Sequence, residues 1–194
     1  MKSLCIVTPI RDAVVGPSHV SLMRLAIEYS RLGGRVHHAT TWLSSNLALA
    51  RARLVDVALR SEAERILMVD DDIVFTVEDF LALSALDIGN DVVSGVYLKK
   101  QPSAGHVGTS LENGETRGAL VEVASIGLGF ALFTREGLSA MQSACGEGMF
   151  EFRFDGERIL GEDEVFCARW RSLGQRVWML QTVRVGHVGP HIYT

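Results

Sequence analysis

The chain has 194 residues, of which 47% are hydrophobic and 22% are charged, and its formal net charge is −4. This composition suits a compact α/β protein with a sizeable core and argues against disorder. The acidic balance, without any basic stripe, gives no reason to expect nucleic acid as a partner, and no apolar run approaches the ~20 residues of a membrane span.

Strand-like and helix-like segments alternate through the first half of the chain. Short apolar, partly β-branched runs predict strands, and apolar residues at helical spacing predict helices. The predicted strands cover residues 4–8, 35–41, 66–69 and 91–98; the predicted helices run from an N-cap at Ser18 to Gly33, from Ser45 to Arg60, and from a capping box of Thr76 and Asp79 to Asp87. This alternation predicts a mostly parallel sheet covered by helices on both faces.

The second half of the chain is less regular. Residues 99–120 begin with Lys99 and Lys100, are rich in Gly, Ser, Thr and charge, and contain Asn113-Gly114, which predicts a hairpin turn. A connection this long is usually functional, so we expect it to form a mobile lid or an acceptor wall. Four segments follow in order: the apolar run IGLGFALF, a helix from Arg135, a helix from Glu162 to Leu173, and strand-like alternation in RVWMLQTVRVGHV.

The run ILMVDDDIVF, residues 66–75, places three aspartates between two apolar segments. Two such charges about 5 Å apart repel by roughly 3 kcal/mol at an effective dielectric near 20, so a positive group is expected beside them. If the strand continues, Asp70 and Asp72 converge while Asp71 points away. Carboxylate oxygens suit a hard divalent cation. The alternative is a solvated turn or a set of helix caps, although Thr76 already supplies a cap.

Two later stretches carry candidate functional groups. GEDEVFCARW places Glu162, Asp163 and Glu164 at the start of a helix, where they either complement the helix dipole or supply a general base. His187, in VRVGHVGP, lies between glycines at the end of the last strand. It is either a structural histidine or, with the acidic pair, a third metal ligand.

Taken in order, the stretches VTPIRD, NLALARARLVDVAL, ILMVDDDIVF, VVSGVYLKK, SIGLGFALFTRE and GEDEVFCARWRSLGQRVWMLQTVRVGHVG resemble the GT-A glycosyltransferases. The chain is most similar to small bacterial and phage-type members related to the large inverting family that uses nucleotide-activated sugars. The resemblance implies a single GT-A domain over residues 1–194, with a Rossmann-like, mostly parallel sheet. Residues 1–98 would bind the nucleotide sugar, and residues 99–194 would supply the acceptor-binding and catalytic half.

The resemblance also implies roles for individual residues. Asp70 and Asp72 correspond to the DxD motif, Glu162 and Asp163 to the ED motif with the aspartate as base, and His187 to the histidine that completes the metal shell. Glu162 is the alternative base. An imidazole ligand favours Mn²⁺ over Mg²⁺. The expected substrate contacts are Arg11, Asn46, Arg53, Asp70, Asp71, Gly127 and Gly129, with Asn46 and Arg53 on one helix face.

The family's nucleobase-binding acid after the second strand has no counterpart in ATTWLSSN, and Leu54 stands where related sequences carry asparagine after the arginine. The nucleobase, sugar and acceptor therefore stay unassigned. The predicted activity is metal-dependent transfer of a sugar from a nucleoside diphosphate sugar to an acceptor hydroxyl, with inversion. The alternatives are a nucleotidyltransferase and a non-catalytic nucleotide-sugar or metal-binding module.

The cysteines and the chain start indicate a cytoplasmic, reduced protein. Cys5, Cys145 and Cys167 are few and widely spaced, which does not suit a disulfide framework or a zinc site. Cys5 and Cys167 are expected to be small core residues. The opening apolar run is too short for a signal peptide.

Overall fold

The computed structural model describes residues 2–41, 45–100, 105–189 and 192–193, the last two by their backbone alone. Residues 42–44, within the ATTWLSSN stretch, and residues 101–104, within the 99–120 segment, lie outside the described residues. The helices are α1 Gly16–Arg31, α2 Leu47–Arg60, α3 Val77–Ser84, α4 Arg135–Cys145 and α5 Glu162–Ser172, with one 3-10 helix at Gly146–Met149. The strands are β1 Leu4–Pro9, β2 Val36–Thr41, β3 Arg65–Val69, β4 Ile73–Val74, β5 Val92–Val96, β6 Gly108–Ser110, β7 Thr116–Arg117, β8 Leu120–Ile126, β9 Phe130–Thr134, β10 Arg153–Phe154, β11 Ile159–Leu160, β12 Val177–Arg184, β13 Gly186–Val188 and β14 Ile192–Tyr193.

Nine strands form the central sheet in the order β2-β1-β3-β9-β5-β12-β8-β6, with β7 paired to β8. Strands β1, β2 and β3 are parallel neighbours, as are β5 and β12. Only β8 and β9, among the described strands of this sheet, run against the others. The predicted mostly parallel sheet is confirmed, and the reversed strand β9 lies in its middle.

Helices cover both faces of the sheet, as predicted. Alternate residues of β1 face opposite sides, since Leu4 and Ile6 belong to one apolar cluster and Cys5 and Val7 to the other. Helices α1 and α3 pack on the first side, and α2, α4 and α5 pack on the second. Cys167 of α5 is also fully buried, so the predicted core role of both cysteines is confirmed.

Most predicted boundaries agree with the structure, including the Thr76–Asp79 capping box of α3. Several boundaries differ by two or three residues: α2 begins at Leu47 and not at Ser45, α3 ends at Ser84 and not at Asp87, and β5 ends at Val96 and not at residue 98. Ser18 is not the N-cap of α1, because that helix begins two residues earlier, at Gly16. Pro17 occupies the first turn, where its missing N–H costs nothing.

The predicted hairpin at Asn113-Gly114 is also wrong, although the turn exists. Asn113 has a φ of 60°, and the Gly114 N–H donates to the Leu111 carbonyl at 3.2 Å. The strands on either side of the turn, β6 and β7, each pair with β8 instead of with one another. The turn therefore redirects the chain along β8.

A three-stranded sheet, β14-β13-β4, lies beside the carboxyl end of β3. It pairs Gly186 and His187 with Val74 and Ile73, which follow the aspartates directly. The C-terminal segment thus reaches the acidic residues through backbone pairing. Across the described residues, no helix combines the length and apolarity that crossing a bilayer requires.

Candidate active site

A cavity of about 570 Å³ opens at the carboxyl ends of β1 and β3. Its polar wall comes from four separate stretches of the chain and includes Arg11, Asp12, Asp70, Asp71, Asp72, Lys100 and His187. In open α/β sheets, ligands bind outside the carboxyl ends of the strands. This cavity is therefore the candidate active site.

The three aspartates form a turn and not an extended strand. Strand β3 ends at Val69, and the Ile73 N–H donates to the Asp70 carbonyl at 3.3 Å. Strand alternation therefore does not apply to them, and the prediction that Asp71 points away from Asp70 and Asp72 is wrong. All three aspartates line the cavity. We call residues 70–72 the acidic turn.

Each aspartate of the acidic turn has a different hydrogen-bond donor. Asp70 accepts two bonds of 2.9 Å from the Arg51 guanidinium, and Asp71 accepts the backbone N–H of Arg11 at 3.2 Å. Asp72 forms an ion pair with the Lys100 ammonium. The mutual repulsion of three adjacent carboxylates is thus offset at each residue by a separate group. Burial nevertheless raises the pKa of Asp71, despite the Arg11 N–H.

Arg51 joins the acidic turn to the helix α5. Besides its bonds to Asp70, its Nη1 donates to Glu162 Oε1 at 2.6 Å, and the whole side chain is buried. Burial alone lowers the pKa of the guanidinium, but the charges of Asp70 and Glu162 outweigh burial and raise it above its usual value. One permanently charged side chain therefore holds two carboxylates that lie far apart in sequence.

Arg51 was missed by the sequence analysis, which chose Arg53 of the same helix. The sequence of α2 nevertheless contains a pattern that identifies Arg51. Arg51 lies on the stripe of α2 that also carries Ala48, Val55 and Ala58, all of them buried. A charged residue on the apolar stripe of a helix is rarely buried without a partner, so the pattern favours Arg51 over Arg53 as the buried, paired arginine.

The first turn of α5 holds the two predicted catalytic carboxylates in different environments. Glu162 is buried, and its Oε1 accepts a hydrogen bond from Arg51. Asp163 Oδ1 accepts the Glu164 N–H at 2.8 Å. Burial and then the Glu162 charge raise the pKa of Asp163, in spite of Arg51. A raised carboxyl pKa suits a general base.

His187 lies next to the acidic turn. Its Nε2 is 3.5 Å from Asp72 Oδ1, and the Val188 N–H donates to the Asp72 carbonyl at 2.8 Å. The His187 Nδ1 is 2.9 Å from the Leu98 carbonyl oxygen, which can only accept a hydrogen bond. In the neutral imidazole, Nδ1 therefore carries the proton, and the Nε2 lone pair faces Asp72.

This donor set fits a divalent cation between Asp72 and His187. Asp72 Oδ1 is buried and has no hydrogen-bond partner among the described residues. Burial raises the pKa of Asp72, but the imidazolium form of His187 and the Lys100 ammonium more than offset it, so that the pKa lies below its usual range. A cation at this position would take the place of the Nε2 proton. A carboxylate oxygen and an imidazole lone pair that face one another are suited to share a metal ion.

The predicted three-residue metal set is not assembled. Among the described residues, no group of three His, Cys, Asp or Glu side chains is arranged to hold a metal ion. Both oxygens of Asp70 accept hydrogen bonds from Arg51 instead. Asp70 is thus a partner of Arg51, while Asp72 and His187 remain as the candidate ligands.

Gly127 and Gly129 leave room for the side chains beneath the cavity. A Cβ at Gly129 would lie 2.8 Å from Asp70 Oδ2 and 3.0 Å from the Tyr97 hydroxyl, and a Cβ at Gly127 would lie 2.1 Å from that hydroxyl. The Gly129 N–H also donates to the Tyr97 hydroxyl at 3.0 Å. These glycines therefore let Tyr97 and Asp70 approach the backbone closely.

The other predicted substrate contacts are dispersed. Arg11 lines the cavity with an exposed side chain that pairs with Asp12 at 2.9 Å. Asn46 is the N-cap of α2 and accepts the Leu49 N–H at 3.1 Å. Arg53 lies in a separate cavity of about 290 Å³ with Asp56 and Gln142. The structure does not bring Arg53 together with the acidic turn.

The fold is the Rossmann-like GT-A fold. A protein of the virus STIV superposes with a TM-score of 0.65 at 21% identity, over 97% of this chain and 86% of that one. Drosophila β-1,4-galactosyltransferase 7, solved as a mutant with manganese, UDP-Gal and xylobiose, superposes with a TM-score of 0.59 at 16% identity, over 97% and 71%. The inositol-1-phosphate CTP transferase of T. maritima superposes with a TM-score of 0.55 at 13% identity, over 97% and 89%.

At sequence level, no protein-family profile and no curated protein matches the chain. The structural likeness therefore defines the fold. Glycosyltransferases and nucleotidyltransferases both use this fold. The particular reaction has to be argued from the site.

Proposed function

We propose that this protein is a metal-dependent glycosyltransferase that moves a sugar from a nucleoside diphosphate sugar to an acceptor hydroxyl, with inversion at the anomeric carbon. Residues 1–98 supply most of the donor site and residues 99–194 supply the base and the acceptor side. The presence of manganese and UDP-Gal in one solved structure of this fold supports this class of donor.

One observation carries the proposal: Arg51 binds Asp70 and Glu162 at the same time. Through this side chain, the acidic turn on the donor side is fixed relative to the first turn of α5, which carries Asp163. Sugar transfer needs such a fixed relation, because leaving group and base act on opposite sides of the sugar. A module that only bound nucleotide sugars would have no need for it.

On the donor side, Asp72 and His187 would hold Mn²⁺ or Mg²⁺. When bound, the cation stabilises the negative charge that develops on the departing diphosphate. Arg11 and Asp71 line the same cavity and would contact the donor, Arg11 at the diphosphate and Asp71 at the neutral part of the nucleotide or sugar. Asn46 lies between Ser45 and Leu47, which line this cavity, whereas Arg53 lies in the separate cavity and is the weakest of the proposed donor contacts.

On the acceptor side, Asp163 takes the proton of the acceptor hydroxyl as its oxygen bonds to the anomeric carbon. The bond from that carbon to the diphosphate oxygen breaks in the same step, and its electron pair leaves with the nucleoside diphosphate. Glu162 keeps the first turn of α5 in place through Arg51. Attack from the side opposite the leaving group inverts the anomeric centre.

The test is to incubate the protein with common nucleotide sugars and Mn²⁺ and to measure slow donor hydrolysis. Hydrolysis that requires Mn²⁺ is expected. Asp72→Ala should abolish metal-dependent nucleotide binding, whereas Asp56→Ala, in the surface pair with Arg60, should leave it unchanged. If no donor is hydrolysed and no nucleotide binds with or without metal, the proposal is wrong.

The same assay separates glycosyl transfer from nucleotidyl transfer, which the likeness to the CTP transferase makes the second candidate. Nucleotidyl transfer releases pyrophosphate from a nucleoside triphosphate. Glycosyl transfer releases a nucleoside diphosphate from the sugar donor. Pyrophosphate release without donor hydrolysis would replace the proposed function with the second one.

A further inference from the structure

Lys100 is the one lysine or arginine, among the described residues, whose side chain lines the cavity and pairs directly with the acidic turn without being buried. Arg51 is buried beneath Asp70, and the Arg11 side chain pairs with Asp12. The Lys100 side chain is 37% exposed, and its ammonium contacts Asp72 Oδ2. It therefore stands at the cavity surface with freedom to change partners.

Hydrogen bonds hold the backbone of residues 97–99, directly before Lys100. The Leu98 carbonyl accepts from His187 Nδ1 at 2.9 Å, and the Lys99 N–H donates to the Gly105 carbonyl at 3.3 Å. The Val107 N–H donates to the Tyr97 carbonyl at 2.9 Å. The backbone that leads into Lys100 is thus held beside the candidate ligands Asp72 and His187, and the Lys100 side chain extends from it to Asp72.

The two carboxylate oxygens of Asp72 face different groups. Oδ2 faces the ammonium, while the buried Oδ1 faces the His187 Nε2 lone pair at 3.5 Å. A divalent cation bound there would lie close to the ammonium, and the two positive charges would repel one another. The Lys100 ammonium therefore competes with the divalent cation for Asp72. The competition ends when the ammonium can pair with another anion.

We infer that Lys100 is a ligand of the donor diphosphate, held on Asp72 in the free protein and released to the phosphate oxygens when the cation and the diphosphate enter together. This inference rests on the proposed function, and it adds to it one substrate-binding residue and an order of binding. The cation binds weakly alone, because it must compete with Lys100. With diphosphate present it binds tightly, because the ammonium then has a second acceptor.

The test uses Lys100→Met, which keeps the aliphatic stem and removes the charge, and Lys99→Met as the matched control. The EPR signal of free Mn²⁺ reports how much Mn²⁺ is bound, first alone and then with inorganic pyrophosphate as the probe; circular dichroism checks that each variant is folded. For Lys100→Met we expect Mn²⁺ alone to bind about five- to tenfold more tightly and pyrophosphate with Mn²⁺ to bind about tenfold more weakly. Lys99→Met should match the unaltered protein in both.

The opposite signs of the two effects distinguish this role from a structural one, which would change both affinities in the same direction. If Lys100→Met matches Lys99→Met in both measurements, or weakens the binding of Mn²⁺ alone, the inference is wrong and the proposed function stands. If the unaltered protein binds no Mn²⁺ even with pyrophosphate, both fail. Equal tightening of both affinities would also overturn the inference, since Lys100 would then only repel the cation.

Discussion

Arg51 and Glu162 are 111 residues apart in sequence, yet their side chains meet in a buried ion pair of 2.6 Å. The same guanidinium holds both oxygens of Asp70. Because a buried charge is tolerated only while it is paired, these three side chains depend on one another. The contact joins the part of the site that we assign to the donor with the part that carries the base.

Arg51→Met should destabilise the protein strongly, since it leaves Asp70 and Glu162 without their partner. We expect a loss of about 3–5 kcal/mol in the free energy of unfolding, measured by urea denaturation. Arg51→Lys should lose less, because it keeps the charge but cannot bind both carboxylates through a fork. Arg53→Met, two residues away and exposed, is the control and should change stability by no more than about 0.5 kcal/mol. Equal effects of the Arg51 and Arg53 substitutions would show that the buried pair contributes little.

Asp163→Asn should leave donor binding intact and lower turnover about 10²- to 10⁴-fold, the usual contribution of a general base. The pH profile gives a second test. Asp163 acts in its ionised form, and its pKa is raised by burial and by Glu162. As the pH falls, kcat/KM should therefore begin to drop at a pH above the usual range of an aspartate, while binding of the Mn²⁺–nucleotide complex persists. A profile with no acidic limb above that range would speak against Asp163 as the base.

The same substitution should stabilise the fold near neutral pH. A carboxyl group whose pKa is raised on folding binds its proton more tightly in the folded state, so stability falls as the pH rises through the unfolded and then the folded pKa. Asp163→Asn removes this loss and can still accept the Glu164 N–H. At pH 7 the urea midpoint of Asp163→Asn should therefore be higher than that of the unaltered protein. The difference between the two midpoints should shrink as the pH falls through the raised pKa of Asp163. A less stable variant at pH 7 would contradict the environment described for Asp163.

Gly129→Ala should damage both the fold and the site. The added methyl group would press on Asp70 Oδ2 at 2.8 Å and on the Tyr97 hydroxyl at 3.0 Å. We expect a loss of about 1–3 kcal/mol in stability, as for other overpacked positions, together with weaker donor binding. Gly148→Ala is the matched control because its Cβ would meet nothing within 4 Å. Thermal unfolding of the two variants should differ clearly, and similar midpoints would show that the site adapts to the methyl group.

His187→Asn should reduce the affinity for Mn²⁺ more than that for Mg²⁺. Removing the imidazole leaves an oxygen-rich site, and oxygen ligands suit Mg²⁺. We expect Mn²⁺ affinity to fall about tenfold or more in the presence of nucleotide. His19→Asn, on the exposed side of α1, serves as the control. If the ratio of the Mn²⁺ and Mg²⁺ affinities is unchanged, His187 is not a ligand of the metal ion.

The sequence allowed the first half of the fold to be predicted well, because its signals are local. A capping box at Thr76 and a glycine stop after α1 are set by neighbouring residues. The position of β9 between β3 and β5 is set by pairing between distant segments, which no local pattern reports. The turn at Asn113-Gly114 was recognised by composition, but the direction taken by the flanking chain was not. The turn at the aspartates was only the alternative to a continued strand.

The candidate site could be predicted only in part, for the same reason. Asp72 and His187 were selected as chemically suitable residues, and the structure brings them together through the pairing of β13 with β4. The choice between Arg51 and Arg53 required knowledge of which face of α2 is buried. The role of Glu162 required its partner, which lies on that helix.

The interleaved strand order has a consequence for synthesis of the chain. Strand β5 pairs with β9 on one side and with β12 on the other, and both follow it in sequence. When β5 has emerged from the ribosome but β9 has not, β5 has no paired neighbour, and its apolar residues Val92 and Val93 are left uncovered. The nascent protein must therefore keep one aggregation-prone edge open until β9 emerges and the other until β12 emerges.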